Sequence, residues 1–265
     1  MKALLLAAGF GTRLRPLTDV LPKCLAPIGE RPLLEYWLVN LFDAGFSEVV
    51  INTHYFQELV ISYLEGTPWS TRVTLAPEHE LLGTAGTILQ HRKFFGNEAF
   101  LVAHADNLSL FDPATLIYRH SHRPTGTVMT MMTFESLNPQ SCGIVSLNNK
   151  EIVTEFFEKV PNPPSKVANA AVYILESEVV DLIAKLPSPH SDLSTDVIPQ
   201  LMGKIFTYHN NEFHMDIGTI GTWLEAQTTY PLLRKKSDSS SDDSWSKILD
   251  RDNQKIRRVV DKLRK

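Results

Sequence analysis

Cysteine is scarce: Cys24 and Cys142 are the only two in 265 residues. That is too few for a disulfide framework or a cysteine zinc site, and it points to a reducing, cytoplasmic setting. Long apolar runs are missing as well. No stretch approaches about 18 such residues, which argues against a membrane-spanning helix. The apolar opening, Leu4–Ala8, is too short for the core of a signal peptide, and Gly9 interrupts it. An excess of positive charge is also absent. Lys and Arg number 26 against 30 Asp and Glu, for a formal charge of −4, so bulk electrostatics exclude a general nucleic-acid binder. Any anion has to be held by locally arranged cations and amides. No internal repeat is visible.

The chain itself is ordinary globular material, 43% hydrophobic and 21% charged, with enough length for one large or two small domains. Lys2–Ala8 reads as a buried strand and 32–44 as a helix closed by Gly45. Strands are expected at 48–52, 73–76 and 99–103, with helices at 56–64 and 85–92 between them. This alternation predicts an α/β fold, Rossmann-like and three-layered, with a mostly parallel mixed central sheet. Beyond about residue 125 strands dominate, at 127–133, 144–147, 153–158, 168–175, 205–208 and 212–215. Helices are expected at 179–186, 195–202 and 219–233. A catalytic domain over 1–235 is expected to be followed by a tail over 236–265. That tail joins the polar linker SDSSSDDS (237–244) to an amphipathic, charged helix.

The stretch LLLAAGFGTRLRPLTDVLPKCLAP, residues 4–27, carries the strongest chemical signal. A strand running into Gly9-Phe10-Gly11-Thr12 sets successive amides at the carboxyl end of the sheet, where open α/β folds bind ligands. Glycines allow positive φ and close approach, so backbone amides can cradle an anion. Arg13, Arg15 and Lys23 add charge, and Pro16 and Pro22 stiffen the loop. A Walker A loop is excluded, because G-x-x-x-x-G-K-[ST] does not occur. A dinucleotide fingerprint is excluded too. Leu14 occupies the place of its third glycine, and Asn52 and Thr53 stand where an acid should end the second strand.

The full string from Gly9 to Pro27 resembles the signature of the sugar-1-phosphate nucleotidyltransferases. EHELLGTAGT (78–87) is similar to a segment of their mannose-1-phosphate guanylyltransferase branch. FLVAHADN (100–107), CGIV (142–145), FFEKV (156–160), NAAVYIL (169–175), DVIPQLM (196–202) and FHMDIGT (213–219) follow in the family's order. The resemblance runs to about residue 230. Hexapeptide repeats of the β-helix that many members carry are not visible.

The resemblance implies a reaction of NTP with sugar 1-phosphate to give NDP-sugar and pyrophosphate, by in-line attack at the α-phosphorus. Catalysis of that kind is positioning and charge neutralisation. Arg13 would contact the leaving phosphates, and Lys23 the α-phosphate and the sugar phosphate. Asp106 and Asp216 would hold Mg²⁺, with water and substrate completing its shell. Leu6, Ala7, Ala8 and Gly9 would frame base and ribose, with Gly11 and Thr12 in the same loop. Glu78, Gly83 and Thr84 would border the base. A carboxylate suits the donors of guanine, so GTP is favoured over UTP, dTTP or CTP. Gly143, Glu158, Lys159 and Asn169 would face the sugar. Partners are then the NTP and the sugar phosphate, with no nucleic acid and no membrane span; a homo-oligomer is compatible. The pathway class by analogy is polysaccharide biosynthesis.

The chain departs from the family pattern at Val160, where proline is usual, and at Ala171, where N-A-G is usual; "AHAD" replaces N-G-D or N-S-D. These changes leave the sugar open. Two other function classes compete. One is a non-catalytic paralogue that binds nucleotide sugars and regulates a partner, which the joint presence of Arg13, Lys23, Asp106 and Asp216 disfavours. The other is a glycosyltransferase, disfavoured because its usual D-x-D is absent around Asp106.

Overall fold

The computed structural model describes residues 1–233, 245, 248 and 254–264. Two compact units divide the chain. The first is Met1–Leu4, Glu80–Ala103 and Phe111–Glu212; the second is Leu5–His79, His104–Leu110 and Phe213–Lys265. The thirteen strands found among the described residues are β1 (Ala3–Leu6), β2 (Pro27–Ile28), β3 (Arg31–Pro32), β4 (Val49–Thr53), β5 (Val73–Pro77), β6 (Phe100–His104), β7 (Asn107–Leu110), β8 (Met129–Glu135), β9 (Gly143–Leu147), β10 (Val153–Glu158), β11 (Val167–Leu175), β12 (Ile205–His209) and β13 (Phe213–Asp216). The helices are α1 (Leu33–Asp43), α2 (Gln57–Glu65), α3 (Gly83–Gln90), α4 (Arg92–Phe95), α5 (Pro113–Ser121), α6 (Ser177–Ile183), α7 (Ile220–Leu233) and α8 (Gln254–Leu263). The fold is α/β with a mixed sheet, as the sequence predicts.

In the second unit, β4 is buried along its whole length and runs parallel to β5, from Val49 opposite Val73 to Thr53 opposite Pro77. Such an all-apolar run followed by polar Asn52 and Thr53 marks a strand covered on both faces that ends at a ligand edge. Helix α1 buries Leu33, Leu34, Trp37, Leu38 and Leu41, the face its 3.6-residue period predicts. β7 and β13 form an antiparallel ribbon that sets Asp216 opposite Asn107 and His214 opposite Ser109. The tail helix α8 buries Ile256 and Val260. Arg264 beyond it donates to the Gly29 carbonyl at 2.8 Å and to Gln227 Oε1 at 2.9 Å. Trp245 and Ile248 are buried too, and Trp245 meets Tyr63 edge to face at 6.3 Å. The expected linker, 237–244, lies outside the described residues.

In the first unit β11 is the hub. It pairs antiparallel with β6, β8 and β9, while β10 joins β9 antiparallel and β12 joins β8 parallel. Pairing with β8 slips between Asn169 and Tyr173, and Ala171 within the slip has φ 54°. Helix α5 has no counterpart among the sequence expectations. Asp112 caps it, accepting from the amides of Ala114 and Thr115, with Pro113 at its first turn. The helix expected at 195–202 is instead a π-turn over Leu193–Val197 and a 3₁₀ turn over Ile198–Leu201. Pro199 has no N–H to give, so an α-helical ladder cannot run through it.

Candidate functional site

The glycine loop after β1 folds into short 3₁₀ turns at Thr12–Leu14, Leu17–Asp19 and Lys23–Leu25. Gly11 sits at φ 60°, and a Cβ there would meet Thr18 Cγ2 at 3.0 Å and Lys23 Cβ at 3.1 Å. Glycine therefore lets the loop close on the Lys23 stem. Thr18 seals the closure by donating to the Gly11 carbonyl at 2.9 Å.

Lys23 is 5% exposed. Its Nζ donates to Asp106 Oδ2 and to Asp216 Oδ1, each at 3.0 Å. Arg13 Nη2 donates to Asp216 Oδ2 at 3.2 Å. Burial would by itself lower the lysine pKa, but the two carboxylates outweigh it and hold the ammonium above its usual value. For Asp106, burial opposes ionisation. The Lys23 charge, helped by His104, wins and holds the carboxyl below the usual range. Cys24, the next residue, is buried beside Asp106, and its thiol is pushed up to about 12.

Strand ends place the two acids. The Ala105 amide donates to the Leu6 carbonyl at 3.0 Å, which fixes the turn that carries Asp106. Asp216 ends β13 in register with Asn107. Two residues further, Gly218 leaves room for the site: a Cβ there would lie 2.8 Å from Arg13 Nη2 and 2.9 Å from both Asp216 oxygens. The two carboxylate oxygens lie within twice 3.0 Å of each other, since both reach one nitrogen. Among the described residues no group of three or more His, Cys, Asp and Glu converges on a metal position. Asp106 and Asp216 thus present carboxylates that are partly open to solvent.

The same unit contains a second cluster. Ala7 N–H donates to Asn52 Oδ1 at 2.7 Å, and Asn52 Nδ2 donates to Glu78 Oε1 at 3.0 Å. The Glu78 amide donates to the Thr53 carbonyl at 2.8 Å, and His54 Nδ1 donates to the Glu78 carbonyl at 2.7 Å. Phe10, half-exposed between the loop glycines, meets the His54 ring edge-on at 5.3 Å. Of the expected residues, Arg13, Lys23, Asp106 and Asp216 are thereby brought together, and so are Ala7 and Glu78. Sequence reasoning noticed Asn52 only as a missing acid; its role as the link between two strand ends went unread.

Leu6, Ala8, Gly9 and Thr12 lie in the second unit with this loop, and Gly83, Thr84, Gly143, Glu158, Lys159 and Asn169 lie in the first. Thr84 gives its amide and hydroxyl to Asp192 Oδ1 at 2.9 and 3.1 Å, and its hydroxyl accepts from the Leu193 amide at 2.7 Å. The Gly83–Gly86 segment packs on residues 189–191, with the Ala85 amide on the Ser191 carbonyl at 2.9 Å. Asp192 and Ser191 are partners that no motif announced. Gly143 lies under the side chains of Phe156 and Glu158. Lys159 pairs with Glu158 at 3.1 Å. Asn169 Nδ2 donates to the Tyr173 hydroxyl at 2.7 Å, and Asn169 Oδ1 accepts from the Ala171 amide at 2.9 Å. Burial, with the nearby Glu158 charge, holds the Tyr173 phenol well above its usual pKa.

Known proteins share this arrangement of sequence. The family model described as nucleotidyl transferase matches residues 2–231. Mannose-1-phosphate guanyltransferase 2 of Candida glabrata is 31% identical over 87% of this chain and 64% of its own length. A probable mannose-1-phosphate guanylyltransferase 1 of Oryza sativa subsp. japonica is 32% identical over 89% of this chain and 67% of its own. A UTP–glucose-1-phosphate uridylyltransferase of Synechocystis is 32% identical over 85% and 62%. The chain therefore spans about two thirds of the length of these relatives. Among solved structures, a putative glucose-1-phosphate thymidylyltransferase from Bacillus anthracis, complexed with a sucrose, superposes with a TM-score of 0.81. It is 22% identical and covers 91% of this chain and 98% of its own, a likeness of fold. With its signature loop, its ordered motifs and the family match along nearly all of residues 1–231, the chain belongs to the sugar-1-phosphate nucleotidyltransferase family.

Proposed function

We propose that this protein joins a nucleoside triphosphate, preferably GTP, to a sugar 1-phosphate, releasing pyrophosphate and an NDP-sugar. The observation that carries the reading is the buried Lys23 ammonium gripped by Asp106 and Asp216, with Arg13 on the same acid. Two anions must meet in this reaction, and a buried cation with a long exposed cation beside it supplies what their approach requires. Relatives named for guanylyl transfer to mannose 1-phosphate support the base and the class of sugar.

The pair Asp106 and Asp216 fits Mg²⁺, which takes few protein oxygens and leaves the rest of its shell to phosphate and water. Bound there, Mg²⁺ would supply charge neutralisation on the phosphates. Lys23 orients the α-phosphate and the incoming sugar phosphate. A phosphate oxygen of the sugar forms the new bond to the α-phosphorus as the bond to the β-phosphate oxygen breaks, and that electron pair leaves on pyrophosphate. Arg13, whose side chain is 68% exposed, reaches the leaving phosphates without first being desolvated. In the first unit, Glu158, Lys159 and Asn169 are the residues that the family resemblance would assign to the sugar.

A second reading keeps the reaction and changes the base to uracil. It is favoured by the uridylyltransferase of Synechocystis, which matches as well as the guanylyl-transferring relatives. One experiment tests both: a matrix of four NTPs against several sugar 1-phosphates, with pyrophosphate as readout. Release that needs both substrates and disappears in Asp106→Asn and Asp216→Asn supports the proposal. Wild-type turnover in both variants sinks the assignment of the acids.

A further inference from the structure

We propose that Asn52 is a positioning residue for nucleobase selection: it orients the Glu78 carboxylate from the end of β4. The inference rests on the preceding reading of this chain as a nucleotidyltransferase whose base lies against Glu78.

The argument is one of hydrogen-bond polarity. A backbone N–H can only donate, so the Ala7 amide demands an acceptor. A carboxylate can only accept, so Glu78 demands a donor. Asn52 is 3% exposed and offers one of each, with Oδ1 toward Ala7 at 2.7 Å and Nδ2 toward Glu78 at 3.0 Å. The amide orientation is thus fixed by its partners. Aspartate would lack the donor, and leucine would lack both groups. Glutamine would carry an extra methylene into a buried site. Glu78 is itself 6% exposed. Its backbone is held on both sides, through the Thr53 carbonyl at 2.8 Å and His54 Nδ1 at 2.7 Å. Asn52 thus sets the side chain of a residue whose main chain is already clamped.

Ala7 belongs to the segment expected to frame the base, and Glu78 is the group expected to read it. One carboxamide therefore ties the frame to the reader. A buried carboxylate kept as an acceptor prefers a base edge that presents donors, as guanine does through N1–H and the N2 amine. Asn52→Asp keeps the acceptor for Ala7 but sets a second carboxylate against Glu78. Repulsion turns the Glu78 carboxylate out of the orientation that the Asn52 donor gives it, and discrimination changes while the phosphate-binding loop is untouched.

The test is equilibrium binding of GTP, UTP and inorganic tripolyphosphate to wild type, Glu78→Gln, Asn52→Asp and Asn52→Ser, each checked for folding by thermal melt. Serine removes the bridging reach without adding charge, which guards against a charge-induced failure to fold. The expected result is a GTP-over-UTP preference in wild type that falls at least tenfold in Glu78→Gln and in both Asn52 variants. Tripolyphosphate affinity stays within twofold throughout. In wild type, the Asn52 side-chain amide resonance shifts on adding GTP and not on adding tripolyphosphate. An unchanged preference in the Asn52 variants, with loss in Glu78→Gln, overturns the positioning role alone. No preference in wild type, or none lost in Glu78→Gln, overturns the base reading and this inference with it. Parallel loss of tripolyphosphate affinity overturns a role confined to the base.

Discussion

Lys23 Nζ lies 3.0 Å from Asp106 Oδ2, although 83 residues separate the two, and the ammonium is almost wholly shielded from water. A cation in that position is tolerable only because Asp106 and Asp216 compensate its lost hydration. The acids in turn are kept from repelling each other by the same ammonium.

Lys23→Met keeps the buried stem and removes the charge. Loss of one preorganised positive group at developing phosphate charge costs about 10²–10³ in turnover. Stability should fall by about 1–2 kcal/mol, discounted because both acids are partly solvated. Millimolar Mg²⁺ should recover more melting temperature in the variant than in wild type, since the acids then have no competing ammonium. Thermal melts with and without Mg²⁺ measure this; an identical Mg²⁺ response in both proteins would be evidence against a shared cation position.

The two thiols should behave as opposites. Cys24 is buried, and its thiol is pushed up to about 12 by burial and by Asp106. Cys142 is half-buried just before β9, with Ser136 Oγ at 3.3 Å from its sulfur. Thiolate is the reacting species. Native protein at pH 8 should therefore release one equivalent of thionitrobenzoate from Ellman's reagent quickly, and the second only after denaturation. Cys142→Ser should abolish the fast equivalent; a fast equivalent that survives would contradict the burial of Cys24.

Part of this site could be read in the sequence because its determinants are local. Gly11, Arg13 and Lys23 lie within one loop, Asp106 follows a strand whose apolar run is plain, and Asp216 ends a short strand within the matched FHMDIGT segment. Ala7–Asn52–Glu78 could not be read, because it depends on which strand ends become neighbours in the sheet. Asp192 on Thr84 is hidden for the same reason, since 108 residues separate them. Helix α5 escaped because its sequence, PATLIYRHS, mixes polar and apolar positions and buries only Pro113, Leu116 and His120. Its Asp112-Pro113 cap was a usable signal. The broken helix at 195–202 was also legible, through Pro199.

Ala171 holds φ 54° inside the β11 register slip, a conformation that costs an L-residue about 1 kcal/mol or more. The family pattern has glycine at this position. Ala171→Gly relieves that strain but adds freedom to the unfolded chain worth about 0.4–1 kcal/mol. The expected net is a gain of up to about 1 kcal/mol, or about 2–4 °C in melting temperature. Ala170→Gly, one residue earlier and fully buried, has no such strain to relieve. It should lower the melting temperature, and scanning calorimetry separates the two. Equal destabilisation by both would show that the Ala171 methyl contributes packing that outweighs its backbone strain.

His120 gives the fold an acid limit of its own. The ring is 4% exposed, with Nδ1 at 2.8 Å from Thr130 Oγ1 and Nε2 at 3.1 Å from Glu176 Oε1. Burial, reinforced by the Arg123 charge and only partly offset by Glu176, lowers its pKa from 6.5 to about 4. Between those values the unfolded chain binds a proton that the native protein refuses, so stability rises with pH across this window. The contribution is fully present above about pH 6.5 and is lost as pH falls to about 4, amounting to up to about 3 kcal/mol. His120→Gln keeps two hydrogen-bonding ends but cannot titrate. It should be less stable than wild type at pH 7, by about 1–2 kcal/mol for the altered buried contacts. The gap should then narrow steadily in urea unfolding series at pH 7.0, 5.5 and 4.5. A gap that stays constant across the series would mean that His120 is protonated in the native state, with Glu176 rather than burial governing its charge.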